Sequence, residues 1–212
     1  MQRYLNRHTY AVVFTALLLI FFSIIVHRIQ GGGTLFVDEF MKGRLQALQT
    51  KGSLAFFTVM TELGSEIGII STLIVSLLVL WRKKQYAAMI IFPLAIIVTD
   101  FVNKWVKGVI ARERPLLNEA IDAIGYSFPS GHAMLSIVTY GFVAFLIVNG
   151  TFGKATRILA IAVAAVLIFT IGLSRIVLSV HYPSDVLGGY CLGGMLLVVF
   201  LYAHHFLKIR MK

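Results

Sequence analysis

The sequence predicts an all-α, polytopic membrane bundle of six transmembrane helices, and three observations carry that reading. Hydrophobic residues make up 58% of the 212-residue chain and charged residues only 13%. That charge is about half the roughly 25% of a soluble domain, too little polar surface to coat a water-soluble globule. The mean hydropathy is +0.88. Finally, six apolar segments, residues 10–27, 63–81, 86–106, 132–149, 155–174 and 184–206, approach the ~20 residues a helix needs to cross a bilayer.

In the first segment, residues 11–26 run without a charge, and only Gly31 and Gly33 offer small residues for cleavage. An uncleaved span is therefore expected rather than a signal peptide. A long connection follows, about residues 28–62, opened by the flexible break Gly31-Gly32-Gly33. Within it, residues 35–48 place Phe36, Phe40, Leu45 and Leu48 near helical spacing among Asp38, Glu39, Lys42 and Arg44. That pattern suits an interfacial amphipathic helix and equally a helix packed over the outer mouth of the bundle. The second segment carries Glu62 and Glu66 near its start, and the third carries Asp100, Asn103 and Lys104 near its end. These two are the least regular spans. No repeat or low-complexity linker divides the chain, so residues 1–212 read as a single integral-membrane domain.

Six spans put both termini on one side. The N-terminus carries Arg3 and Arg7, the second-to-third connection Arg82, Lys83 and Lys84, the fourth-to-fifth Lys154 and Arg157, and the tail Lys208, Arg210 and Lys212. That face has ten basic residues and no acidic one; the opposite side holds the other nine basic and all nine acidic residues. The whole net charge of +10 lies on one face, which the positive-inside rule makes cytoplasmic. On a soluble protein such a charge would suggest nucleic acid, but here the charges are separated by long apolar runs, so no nucleic-acid partner is expected. The single cysteine, Cys191, excludes an internal disulfide framework and a multi-cysteine metal site.

Ionisable residues beside membrane spans are costly and tend to be functional. Here they gather in three places on the outward side: Lys107 to Arg114-Pro115 leaving the third span, Pro129-Ser130-Gly131-His132 entering the fourth, and Ser174-Arg175, His181 and Asp185 between the fifth and sixth. Lys107, Arg114 and Arg175 supply fixed positive charge, the arginines with forks suited to phosphate oxygens. Ser130 is a good N-cap, and the N–H groups of the helix opened by Gly131-His132 point at an anion. The product is a pocket for a tetrahedral oxyanion. Two histidines and an aspartate can ligate zinc, but three neighbouring cations would repel a divalent ion, so no metal or other cofactor is expected.

The spacing of His181 and Asp185 lets the carboxylate accept from one ring nitrogen, leaving the other as a nucleophile, with Pro183 suited to the first turn of the sixth helix. His132, at a helix N-terminus, is placed to donate a proton to a leaving oxygen. Taken singly, each motif also fits a structural role: a solvated helix end, a capped helix, a local hydrogen bond. Their meeting on one face favours function. His8, His27, His204 and His205 lack such company and read as interfacial, and Asp100 and Glu113 as partners for nearby cations.

Lys-x6-Arg-Pro, Pro-Ser-Gly-His and Ser-Arg-x5-His-x3-Asp, in this order and without a departure, resemble the signature of the type 2 phosphatidic acid phosphatase (lipid phosphate phosphatase) family. The motifs occupy residues 107–185, and the length and single-domain form look most like its bacterial phosphatidylglycerophosphate phosphatase B type. The resemblance implies a metal-independent phosphatase in a bacterial cytoplasmic membrane with its active site facing outward. By it, His181 attacks phosphorus and Asp185 orients it. His132 protonates the leaving group and then activates water, while Lys107, Arg114, Ser130, Gly131 and Arg175 hold the phosphate. Phosphatidylglycerophosphate is the expected substrate and undecaprenyl pyrophosphate the alternative. Membrane lipids are the surroundings, and no obligatory protein partner is evident. The family's soluble acid phosphatases and haloperoxidases are disfavoured by the six spans. A non-catalytic lipid transporter would not require the His–Asp pair, and a serine hydrolase using Ser130 lacks a base at defined spacing.

Overall fold

A computed structural model describes residues 2–115 and 125–211, with side chains from residue 8 onward except Gln46. Lys212 and the side chains of Arg3 and Arg7, three of the ten basic residues assigned to one face, lie outside it. The elements are α1 (Gln2–Gln30), α2 (Phe36–Lys42), α3 (Leu45–Leu48), α4 (Lys51–Glu62), α5 (Glu66–Arg82), α6 (Tyr86–Ile110), α7 (Gly131–Val148), α8 (Lys154–Val177) and α9 (Pro183–Arg210). Among the described residues there is no strand. Five helices, α1 and α6 to α9, are long and apolar enough to cross a membrane, and α4 with α5 makes a sixth if the bent pair counts as one span. The chain is a multi-pass membrane protein.

The second span differs from the expectation of one continuous helix over 63–81. The α5 helix has 17 residues and meets α4 at a bend of 48°. Hydropathy sees only the apolar run; the break comes from local chemistry. The Ser65 hydroxyl caps α5 by accepting from Gly68 N at 3.3 Å. A Cβ at Gly64 would lie 2.4 Å from Ile171 Cγ2 and 3.1 Å from His132 Cδ2, so only glycine lets the bend seat against α7 and α8. Tyr140 Oη then donates to Leu63 O at 2.7 Å. Residues 35–48 likewise form two short helices rather than one. The first ends at Gly43, whose N–H turns back to Met41 O, and Arg44 Nη1 donates to Phe40 O at 3.0 Å.

The α9 helix is the hub, packed against α1, α2, α6, α7 and α8. Its close approach to α7 depends on Gly189 and Gly193, four residues apart. A Cβ at Gly189 would lie 2.7 Å from Ser130 O, and one at Gly193 would lie 2.7 Å from Met134 O and 2.4 Å from Ile137 Cγ2. Small residues at this spacing let membrane helices pack backbone to backbone. The bundle is apolar outside, with Val12, Leu17, Phe101 and Val166 exposed, while Ser130, Arg175, His181, Ser184 and Asp185 are buried. An apolar exterior of this extent is a lipid-facing surface.

The helix termini sort into two ends. The α5–α6 and α7–α8 turns meet where Lys83 Nζ sits 4.6 Å from the Phe152 ring centroid. At the same end His8 stacks on Tyr202 at 5.4 Å, near the end of α9. The motif residues occupy the other end. His204, expected at an interface, is instead buried, edge-on to Phe142 and Phe145 at 6.0 and 5.5 Å.

Gly193→Ala and Gly189→Ala should each lower the thermal unfolding midpoint in detergent, by an overpacking cost of about 1–3 kcal/mol. Gly108→Ala, where nothing lies within 4 Å of the added Cβ, should be tolerated. Equal midpoints for all three would contradict this account of the α7–α9 contact.

Candidate active site

Each motif is delivered by a helix end. Lys107 lies in the last turn of α6, which stops at Ala111, a left-handed residue (φ 50°) whose N–H returns to Lys107 O. That conformation costs an alanine roughly 1–2 kcal/mol, and it turns the chain back across the bundle end. The returning chain is pinned by Ser127 N to Arg112 O (2.8 Å) and Ser127 Oγ to Glu113 O (3.0 Å). Ser130 is the N-cap of α7, its hydroxyl accepting from Ala133 N. Pro183 occupies the first turn of α9, and the Asp185 carboxylate caps it by accepting from Tyr182 N at 2.9 Å.

His181 and Asp185 form the expected pair. Nδ1 of the imidazole is 3.3 Å from Asp185 Oδ2, and because the carboxylate can only accept, Nδ1 carries the proton. On the other side Arg114 Nη1 lies 3.3 Å from Nε2. A guanidinium can only donate, so Nε2 is the nitrogen with the lone pair. Two neighbours thus set the same tautomer. Burial pushes the His181 imidazole down to about 4, against the pull of Asp185 toward the charged form. The ring is therefore neutral well below neutral pH.

The cations converge around this pair. Arg114 is held by its bonds from Nη1 to Val180 O and from Nε to Gly125 O, both 2.8 Å. Arg175 is 5% exposed; Nη1 donates to Thr61 Oγ1 at 2.7 Å, and its Nε is buried without an acceptor among the described residues. Lys107 lies within the field of Arg114, Asp185 and Arg175. His132 lies within that of Arg175, His181, Lys107 and Arg114. Ser130 N is engaged by Asp185 O at 3.0 Å, whereas the N–H groups of Gly131 and His132 have no acceptor among the described residues. All eight motif residues expected at the site are at this end of the bundle. The Ser130 hydroxyl accepts in its cap and keeps its own proton to donate, and no base among the described residues is hydrogen-bonded to it, so the serine-hydrolase alternative finds no support.

Five further residues, Arg112, Asp38, Ser184, Thr61 and Asn103, complete the arrangement and were not assigned to the site from the sequence. Arg112 Nη1 donates to Asp185 Oδ1 at 2.6 Å and to Ser184 Oγ at 2.7 Å, while Nη2 meets Asp38 Oδ2 at 2.9 Å. Its guanidinium lies 4.0 Å from the Tyr182 ring centroid. Asp38, from α2, also accepts from Ser184 N (2.9 Å) and Ser184 Oγ (2.6 Å). Thr61 holds Arg175, and Asn103 Nδ2 donates to Pro129 O at 3.2 Å, with Oδ1 3.1 Å from where a Gly131 Cβ would be. Two signals were available: Asp38, an acid in the segment 35–48, and Asn103, a polar residue near the end of the third apolar run. Asp100, by contrast, makes the expected local pair, with Lys104 at 2.7 Å. Four cations against two buried carboxylates leave the site net positive. A cavity of ≈ 430 Å³ borders it, with Asp38, Lys42, Pro115, His181 and Tyr182 among its walls.

Residues 88–209, more than half of the chain, match the PAP2 superfamily. The sequence is 38% identical over 101 residues to phosphatidylglycerophosphatase B of Bacillus subtilis (strain 168), a stretch covering 47% of this chain and about half (49%) of that relative. The fold is similar to the crystal structure of a transmembrane PAP2-type phosphatidylglycerolphosphate phosphatase from Bacillus subtilis. The TM-score is 0.80 at 26% identity, over 93% of this chain and 97% of that one. It is also similar to Aquifex aeolicus LpxE, with a TM-score of 0.58 at 23% identity over 74% of this chain and 90% of that one. The motifs, the bundle and the family match agree: the chain belongs to the PAP2 superfamily.

Proposed function

We propose that this protein is a lipid phosphate phosphatase that hydrolyses phosphatidylglycerophosphate to phosphatidylglycerol and inorganic phosphate. The observation that carries the reading is the buried His181–Asp185 pair with Nε2 in its unprotonated form, among Lys107, Arg114 and Arg175. The two Bacillus subtilis proteins that the chain resembles, a phosphatidylglycerophosphatase B and a phosphatidylglycerolphosphate phosphatase, support the substrate.

In this mechanism the phosphomonoester dianion sits among Lys107, Arg114, Arg175, Ser130 and the Gly131 N–H. These fixed charges do the neutralisation that Mg²⁺ performs in other phosphoryl-transfer sites, so the reaction is metal-independent. Arg114 moves its Nη1 donor from Nε2 to a phosphate oxygen. The Nε2 lone pair attacks phosphorus in line, the P–O bond to the glycerol breaks, and its electron pair goes to the leaving oxygen. His132, whose protonated form the bound dianion favours, supplies the proton. Asp185 stabilises the positive charge that develops on the phosphorylated ring. Neutral His132 then takes a proton from water, the hydroxide attacks phosphorus, and the P–N bond breaks with its pair returning to Nε2. Arg112 and Asp38 are positioning residues: Arg112 holds the second oxygen of Asp185, and Asp38 holds Arg112, so that the carboxylate keeps its aim.

The orientation belongs to the same proposal. The end carrying the basic residues and both termini is cytoplasmic, and the site opens on the outer face of a bacterial cytoplasmic membrane. Reporters fused at either terminus should read cytoplasmic and a tag beside Gly32 external; an external C-terminus would invert the assignment.

The two histidines should fail differently. His181→Ala should abolish phosphoenzyme formation with every substrate, because no nucleophile remains. His132→Ala should cost about 10²–10⁴-fold on an alkyl phosphate and much less on an aryl phosphate, whose leaving group needs little protonation. Equal losses on both substrates would exclude His132 as the acid.

A further inference from the structure

We propose that the opposite end of the molecule carries a second anion site, built on the N-terminus of α6 with Lys84, Lys208 and His204, that takes the phosphate of an anionic lipid headgroup. The site lies about 30 Å from Lys107, the length of α6 between them. It does not depend on the proposed phosphatase activity.

The start of α6 lacks a cap. Gln85 offers no side-chain bond, and the first helical donor with a partner is Met89 N, to Gln85 O at 3.1 Å. The N–H groups of Tyr86, Ala87 and Ala88 have no acceptor among the described residues, although Ala87 and Ala88 are buried. Buried backbone donors are almost always paired. These converge at the positive end of a 25-residue helix, an arrangement suited to an anion.

The side chains around them have the wrong sign for a helix start unless an anion lies between. A helix N-terminus favours carboxylates and disfavours cations. Here the adjoining residue is Lys84, held left-handed at φ 53°, and the last turn of α9 brings Lys208. Neither lysine meets a carboxylate among the described residues. Lys84, Gln85, Tyr86, Ala88, His204 and Lys208 line a common cavity of ≈ 180 Å³.

His204 supplies the independent observation. It is 6% exposed, and its Nδ1 is sealed without a partner beside Phe142 and Phe145. An unpaired buried acceptor is tolerated better than an unpaired donor, which leaves Nδ1 bare and puts the proton on Nε2. His204 lines the cavity, and with Nδ1 sealed, Nε2 is the ring nitrogen left to serve it, in the donor form that an anion there would select. Three unpaired amides, an imidazole and two lysines thus border one small space, and no carboxylate is among the residues that line it. A phosphate oxyanion matches that donor set. A basic pocket between helix ends at a membrane surface receives it most directly from an anionic lipid.

The test uses the full chain in nanodiscs of pure phosphatidylcholine, or of phosphatidylcholine mixed equally with phosphatidylglycerol. Hydrogen exchange of the amides of residues 86–88 should slow in the mixed discs and not in the pure ones. By native mass spectrometry, Lys84→Gln/Lys208→Gln should retain one fewer phosphatidylglycerol per chain than the parent and the same phosphatidylcholine. Unchanged turnover of a soluble aryl phosphate would show that this variant is folded. Protection by glycerol 3-phosphate added to pure phosphatidylcholine discs would uphold the anion site and assign it to a soluble phosphate. Equal exchange in both discs, or equal phosphatidylglycerol retention by parent and variant, would overturn the proposal.

Discussion

The Asp185 carboxylate is fully buried, and much of the active end is arranged around filling its lone pairs. Moving a carboxylate out of water costs several kcal/mol, recovered only when its lone pairs are filled by well-placed donors. Here they are filled from three directions: His181 Nδ1, Tyr182 N and Arg112 Nη1. Arg112 is itself too buried to stand alone and is shared with Asp38, which also holds Ser184. The consequence runs from energetics to chemistry. A carboxylate that cannot turn away leaves the imidazole one tautomer, and so one nitrogen with a lone pair.

Such a network survives only inside a bundle that excludes lipid and water from it. The glycine contact between α7 and α9 and the bend at Gly64 are therefore part of the site's support as well as of the fold. The first brings the Ser130 turn against α9, and the second seats α4 and α5 against His132 and Ile171. Thr61, near the end of α4, reaches Arg175 because of that bend. The two ends of the molecule then divide the charge. One gathers arginines around carboxylates and histidine, while the other gathers lysines and arginines with no acid among the described residues.

What was legible in the sequence was local. Ser130 caps α7, Pro183 opens α9, and His181 reaches Asp185 across one turn, because each needs only neighbours within four residues. Five spans were legible because hydropathy reports burial in lipid directly. The bend between α4 and α5 was not, since Ser65 and Gly64 change direction without changing apolarity. Asp38 and Arg112 were missed for another reason: they meet 74 residues apart, and Asp38 meets Ser184 146 residues apart. No periodicity encodes such a pairing. His204 sits among basic residues in the sequence, yet its ring turns inward against Phe142 and Phe145, which a one-dimensional reading does not distinguish from an interface.

The central claim is that the carboxylate network sets the His181 tautomer, and nitrogen NMR of ¹⁵N-histidine-labelled protein, with His181→Ala to assign the signal, tests it directly. Neutral His181 should show a protonated Nδ1 and a bare Nε2 from neutral pH down to about 4, where burial has placed its titration. Arg112→Gln and Asp38→Asn should mix the tautomers, in proportion to their loss of phosphoenzyme formation. A ring protonated at Nε2, or titrating near the ordinary 6.5, would contradict the account.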